Sequence, residues 1–274
     1  MVSIAIMNAK GGVGKSTLTM AIAETLSAYH GKTVLLIDAD GQMSLSLMLM
    51  SVKRLNALRD ENRSITAWLK QSVLGDHTVD WRSYIVDKVS DVDDASSLFL
   101  MPGDMDLTLT ERAVSEAHRA AQLRLQVRLF LEEAKQCVDV VLVDCAPGIS
   151  VVTECWLREC QWHLVPIKPD ILAVSGMEYL KRFRQRDERL GFAAHLGVVI
   201  NMKQVRSQTD ELMHELLNGN SELRCFKSAV PSIPHIQKAA LFVAEGRSFQ
   251  NKYPGEAGAA IRSVTAEILT RLSA

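Results

Sequence analysis

The sequence predicts a single α/β domain over residues 1–274, with a mostly parallel, twisted sheet flanked by helices on both faces. Short apolar runs alternate with helical patterns along the chain, as strands joined by crossover helices do. Asn8, Asp38, Asp144 and Asn201 each close an apolar run, and sheets of this kind bind ligands beyond the carboxyl ends of their strands. With 274 residues, 47% of them apolar, the chain can bury one large core or at most two small ones.

Taken in order, residues 3–7 read as the first strand, leading through a glycine turn into a helix over 15–29. His30-Gly31 ends that helix, glycine being common just past a helix terminus. Residues 33–37 form a second buried strand ending on Asp38. Residues 44–100 are less regular, with a helix expected over 64–74 and a short strand over 98–101 before Pro102-Gly103. A long helix is expected over 112–136, then the most apolar strand, 138–143, ending on Asp144. Further strands are expected at 163–166 and 196–200, with helices over 175–190 and 209–217. A last short strand at 224–230 and a closing helix over 255–272 complete the reading.

Composition narrows the function. A formal net charge of −1 argues against a whole-surface polyanion binder but leaves room for a local basic patch. Five cysteines include no Cys-x-x-Cys pair, so reduced, mostly buried thiols are expected. No apolar run reaches the roughly 18 residues that span a bilayer, and residues 1–7 lack a basic leader and a cleavage site. A soluble, cytoplasmic protein is expected.

The first strand runs into Lys10-Gly11-Gly12-Val13-Gly14-Lys15-Ser16-Thr17. Three glycines let backbone amides turn toward phosphate oxygens with no Cβ in the way. The helix that follows adds the positive end of its dipole. In such a loop Lys15 reaches the β- and γ-phosphates, and the Ser16 hydroxyl binds Mg²⁺. Strand, loop and helix fall in the order of a P-loop NTPase, although Ala9 stands where the usual pattern has its first glycine. Asp38 and Asp40, spaced by two, point to one side of an extended chain. Asp144 closes an apolar strand, where such sites hold the aspartate that binds Mg²⁺ through water.

The early Lys10 resembles the signature lysine of the ParA/MinD family of deviant Walker-A ATPases, which crosses a dimer interface to the partner's phosphates. Asp38-Ala39-Asp40-Gly41-Gln42 resembles the family's Asp-x-Asp-Pro-Gln, with Gly41 in place of proline. Asp144-Cys145-Ala146-Pro147-Gly148 resembles its Asp-Cys-Pro-Pro switch segment. The resemblance covers nearly the whole chain and is weakest over 51–100, expected to be a family-variable insertion. It implies catalytic roles for Lys10, Lys15 and Asp40, with Asp40 orienting the attacking water. Mg²⁺ would be held by Ser16, Asp38 and Asp144. ATP would be bound by Lys10, Gly11, Gly12, Val13, Gly14, Lys15, Ser16 and Thr17, with Asn201 and Pro231 near the adenine. Cys145 is expected to be a packing residue.

The resemblance further implies an ATP-bound homodimer on non-specific DNA and a nucleoid-associated location. A ParB-like or cargo-adaptor partner would stimulate hydrolysis, as in a ParA/Soj-like partition or positioning ATPase. Lys181, Arg182, Arg184, Arg186 and Arg189 place five cations in nine residues. With Lys203 and Arg206 they are the DNA-contact candidates, and Lys227, Arg247 and Lys252 follow. Such contacts would be salt-dependent and blind to sequence. With no helix-turn-helix segment before the first strand, no operator recognition is expected. With no basic extension after the closing helix, no membrane recruitment is expected, and Cys155 and Cys160 match no iron–sulfur pattern. Two other readings stand beside this one: an ATP-binding scaffold with little turnover, and a small-molecule enzyme on the same fold, for which no second-substrate motif is recognised.

Overall fold

The computed structural model describes residues 1–75, 77–170, 191–204 and 206–273. Its centre is one seven-stranded sheet: β1 (Val2–Ile6), β2 (Val34–Ala39), β3 (Leu98–Met101), β4 (Val140–Cys145), β5 (Trp162–Ile167), β6 (Ala194–Lys203) and β7 (Ala229–Pro231). The spatial order is β3-β2-β4-β1-β5-β6-β7, and every pairing between neighbours is parallel. Strands covered on both faces need apolar residues at every position, and β2 and β4 are buried from end to end.

Alternation within the strands divides the interior into two layers. Ile4, Ile6, Val34, Leu36, Val140 and Leu142 face one layer. It is covered by α1 (Lys15–His30), α2 (Ser44–Leu49), α3 (Val52–Asp60), α10 (Phe249–Lys252) and α11 (Glu256–Ser273). Ala5, Met7, Leu35, Ile37, Val141 and Val143 face the other. It is covered by α4 (Ile65–Leu69), α5 (Leu107–Glu116), α6 (Ala120–Ala134) and α7 (Val151–Glu159). A smaller cluster joins β5 and β6 to Leu217 of α8 (Gln208–Asn218), and α9 (Pro234–Ala239) follows β7.

Two elements differ from expectation. The helix expected over 112–136 starts earlier and is two helices, α5 and α6. The break falls at His118, whose φ of 53° lies in the left-handed region, and an apolar period that runs through a break conceals it. The last strand is Ala229–Pro231 rather than 224–230, because Arg224 turns with φ of 44°. Residues 51–100 carry α3, α4 and the edge strand β3, and Trp68, Trp81 and Tyr84 lie buried in the second layer. The helix expected over 175–190 lies outside the described residues. No described helix is long and apolar enough to cross a membrane.

Candidate nucleotide site

The phosphate loop joins β1 to α1 at the centre of the sheet. Gly12 and Gly14 have φ of 72° and 78°, a backbone region open to glycine and strained for most other residues. Gly14 has a second reason to lack a side chain. A Cβ there would come 2.4 Å from the Asn201 amide nitrogen, which donates to the Val13 carbonyl at 2.8 Å. Asn201 thus grips the loop from the end of β6. On the other side Asn8 accepts from the Lys10 amide at 2.9 Å and donates to the Pro166 carbonyl at 2.7 Å. Gly14 heads α1 with no side-chain cap, so first-turn amides are left for an anion.

Lys15 is buried behind the loop, its Nζ donating to the Lys10 carbonyl at 3.5 Å. Burial pushes its pKa down, opposed by the charges of Asp144 and Asp40. Lys10 points elsewhere: its Nζ lies 2.7 Å from Asp170 Oδ2, with both side chains about one-third exposed. Ser16 and Thr17 are half-buried at the head of α1.

Asp38 and Asp144 are register partners on adjacent strands, and both are buried. Asp38 Oδ2 accepts from the Ser46 amide at 2.8 Å and from its hydroxyl at 2.6 Å. Burial nevertheless lifts its pKa to about 7. Gly103 lies so close that a Cβ would meet the Asp38 carboxyl carbon at 2.8 Å, and its amide donates to Ser46 Oγ at 2.9 Å. Neither oxygen of Asp144 has a hydrogen-bond partner of good geometry. Burial and the neighbouring Asp38 push its pKa well up, while the Ser16 hydroxyl and Lys15 favour its charged form. A buried carboxylate left short of partners beside a hydroxyl and an ammonium fits a divalent cation that shares its ligands with phosphate. Ser16 and Asp144 fit Mg²⁺ best, since one oxygen of Asp38 is already engaged with Ser46.

Asp40 is half-buried, and its Oδ1 accepts from the Gln42 amide at 2.9 Å. Where the family has proline, α5 backs the turn at Gly41. A Cβ on Gly41 would come 3.0 Å from Thr108 Oγ1. Cys145 is fully buried with its pKa well raised by that burial, as a packing residue should be. Pro231 ends β7 beside Lys203, its register partner. Ser46 and Gly103 lie in no motif, and nothing in the sequence marks them as supports of Asp38.

The basic candidates fare differently. Lys181, Arg182, Arg184, Arg186 and Arg189 lie outside the described residues. Lys203 is held by Glu211 at 2.6 Å, while Arg206 is exposed. Two later cations are not surface groups free for DNA. Lys252 is fully buried between Glu24 and Asp91, and Arg247 pairs with Asp91 at 2.8 Å.

A family model described as an AAA domain matches residues 1–190. The chromosome partitioning protein ParA of Caulobacter vibrioides is 27% identical over 250 residues, covering 87% of this chain and 84% of the relative. Apo McdA from Cyanothece shares the fold with a TM-score of 0.76 at 18% identity, over 98% of this chain and 99% of that one. So does cobyrinic acid a,c-diamide synthase from Mycobacterium smegmatis, solved with an ATP analogue and magnesium. Its TM-score is 0.75 at 22% identity, over 100% and 96%. The family match, taken with a parallel sheet that presents a phosphate loop, two strand-end aspartates and a second lysine, shows that the chain belongs to this AAA domain family and is a ParA/MinD-like P-loop ATPase.

Proposed function

We propose that this chain is an ATP-dependent dimerising switch that partitions or positions a cargo and is reset by hydrolysis. The observation that carries the reading is the separation of its two lysines. Lys15 is buried behind the loop of its own chain, while Lys10 stands at the loop mouth, about one-third exposed and paired with Asp170. An ammonium at that position is free to exchange one carboxylate for the phosphates of a facing copy. Two such exchanges, one per chain, would make ATP the adhesive of the dimer.

In this reading the loop amides and Lys15 hold the nucleotide, Ser16 and Asp144 hold Mg²⁺, and Asp38 supports that shell through Ser46. Bound there, Mg²⁺ would neutralise negative charge on the phosphates. Asp40 orients the water for in-line attack, and Lys10 from the facing chain neutralises charge developing there. Turnover is slow until a ParB-like or cargo-adaptor protein stimulates it. DNA is the proposed track, held non-specifically by the basic residues; this rests on the family resemblance. A non-DNA cargo, such as a chemoreceptor cluster or a protein microcompartment, is supported equally by that resemblance.

Sedimentation with ATP, with ADP and without nucleotide tests the reading on wild type and Lys10→Ala. We expect a dimer with ATP alone, and a monomer for Lys10→Ala under all three conditions. A wild type that stays monomeric with ATP, or a dimer indifferent to Lys10, overturns it. Asp40→Ala separates the switch from a scaffold of low turnover: it should lock the ATP dimer, which in wild type decays as ATP is consumed.

A further inference from the structure

Two segments bracket the phosphate position: the turn that carries Asp40, and the run from Asp144 to Ser150 that leads into α7. One helix, α5, touches both. Its first turn backs the Asp40 turn through the Gly41–Thr108 approach. Three residues on, and so on the same face, half-buried Glu111 accepts a hydrogen bond from the Ser150 hydroxyl. Ser150 is also the N-cap of α7, its oxygen accepting from the Thr153 amide at 3.2 Å.

A carboxylate is an expensive way to make this joint. Burial pushes the Glu111 pKa up and the nearby charge of Asp40 pushes it further, while Ser150 and the Val152 amide favour the ionised form. Ser150 supplies the N-cap of α7 and Glu111 adds an acceptor for the Val152 amide, yet an acid held close to another acid costs energy unless the joint matters. Glu111 is therefore placed where it can relay the position of one phosphate-facing segment to the other.

We propose that Glu111 is a positioning residue for hydrolysis: by holding Ser150 it locks α5 to the segment running out of Asp144, and so sets Asp40 relative to Asp144. When the 144–150 segment shifts with the state of the nucleotide, α5 carries the shift to the Asp40 turn. This rests on the reading above in which Asp40 orients the water. Glu111 itself touches no reacting atom.

The test is steady-state ATP hydrolysis with Mg²⁺ by the full chain, comparing wild type, Glu111→Ala, Glu111→Gln, Asp40→Ala and the Asp40→Ala/Glu111→Ala double variant. We expect Glu111→Ala to lower kcat about tenfold with KM within twofold, as for a group that acts on the reacting geometry and not on binding. Glu111→Gln, which still accepts from Ser150, should recover at least half of the wild-type kcat. In the Asp40→Ala background the loss of Glu111 should cost less than twofold, because its effect passes through Asp40. Ser150→Asp keeps the α7 cap while repelling Glu111; it should reproduce the tenfold loss and replaces Glu111→Ala should that variant fold poorly. Independent, multiplying effects of the two substitutions, failure of Glu111→Gln to rescue, or a change in KM as large as that in kcat overturns the proposal alone. A wild type without ATPase activity, or Asp40→Ala as fast as wild type, overturns the catalytic reading and this proposal with it.

Discussion

Two clusters of buried charge, one at the nucleotide site and one around Glu24 of α1, are built differently. At the nucleotide site Asp38, Asp144 and Lys15 are buried, and although Ser46 serves Asp38, both oxygens of Asp144 go without good hydrogen bonds. In the second cluster Lys252 lies 2.6 Å from both Glu24 Oε1 and Asp91 Oδ1, with all three side chains fully buried. There every carboxylate oxygen is served. Tyr253 donates to Glu24 Oε2 at 2.6 Å and Ser90 to Oε1 at 2.5 Å, while Arg247 and the Val243 amide engage Asp91 Oδ2. Two carboxylates meet two cations, so this cluster is balanced within the chain. At the nucleotide site two buried carboxylates, Asp38 and Asp144, face one buried ammonium, Lys15, so that cluster is not balanced within itself. The difference separates charge buried for architecture from charge buried for binding.

The largest effect that would break this comparison is expected at Lys252. Lys252→Met leaves Glu24 and Asp91 buried without their shared cation and should destabilise by about 3–5 kcal/mol, lowering Tm by roughly 10 °C in a chain of this size. Nucleotide affinity of the folded fraction should stay within a few-fold, measured by titration below the new Tm. A Tm within 2 °C of wild type would show that the cluster is no more structural than the nucleotide site.

The opposite sign is expected at Asp38. Its pKa rises from 3.8 to about 7 on folding, mainly by burial. Between those values the folded chain holds a proton that the unfolded chain has released, so stability falls as pH rises through that window and levels off above it. Asp38→Asn keeps an acceptor for Ser46 and has no charge to bury. Free of nucleotide and Mg²⁺, it should be more stable than wild type by about 2–4 kcal/mol above pH 7, with no advantage near pH 4. Denaturant melts at pH 4, 6 and 8 measure this; a variant less stable at pH 8 would refute it. The same substitution should impair hydrolysis, which is what charge buried for binding requires.

The two regions also differ in how readable they were. The nucleotide site is written in local order: Lys10 to Thr17 are contiguous, and Asp38 and Asp144 end apolar runs that periodicity identifies. Its supports were hidden, since Ser46 and Gly103 act through folding that brings separate loops onto Asp38. Lys252 illustrates the harder case. It resembled a surface cation in the sequence, yet its partner Glu24 lies 228 residues away, and neither residue stands in a motif. The break at His118 was hidden for a local reason, a left-handed turn at a residue whose type does not demand one.

The smallest effect sharpens the contrast most, because it asks whether the second cluster has capacity to spare. Tyr253→Phe removes one hydroxyl and leaves Glu24 Oε2 without its donor, while Oε1 keeps both Lys252 and Ser90. Losing one hydrogen bond to a buried charged group costs about 1.5–3 kcal/mol when nothing replaces it. The ring stays packed on Phe249, centroid to centroid at 4.9 Å, so no cavity term is added. The loss should therefore be about 1.5 kcal/mol, at most half of that for Lys252→Met. A double-mutant cycle with Lys252→Met reads the coupling between them. If the cluster acts as one charge-balanced unit, the tyrosine should contribute more once the lysine is gone, since its hydroxyl is then the only donor left on Glu24 besides Ser90. Simple additivity would mean that the cluster is a set of separate bonds, and the distinction between the two buried charge sites would then rest on the count of partners alone.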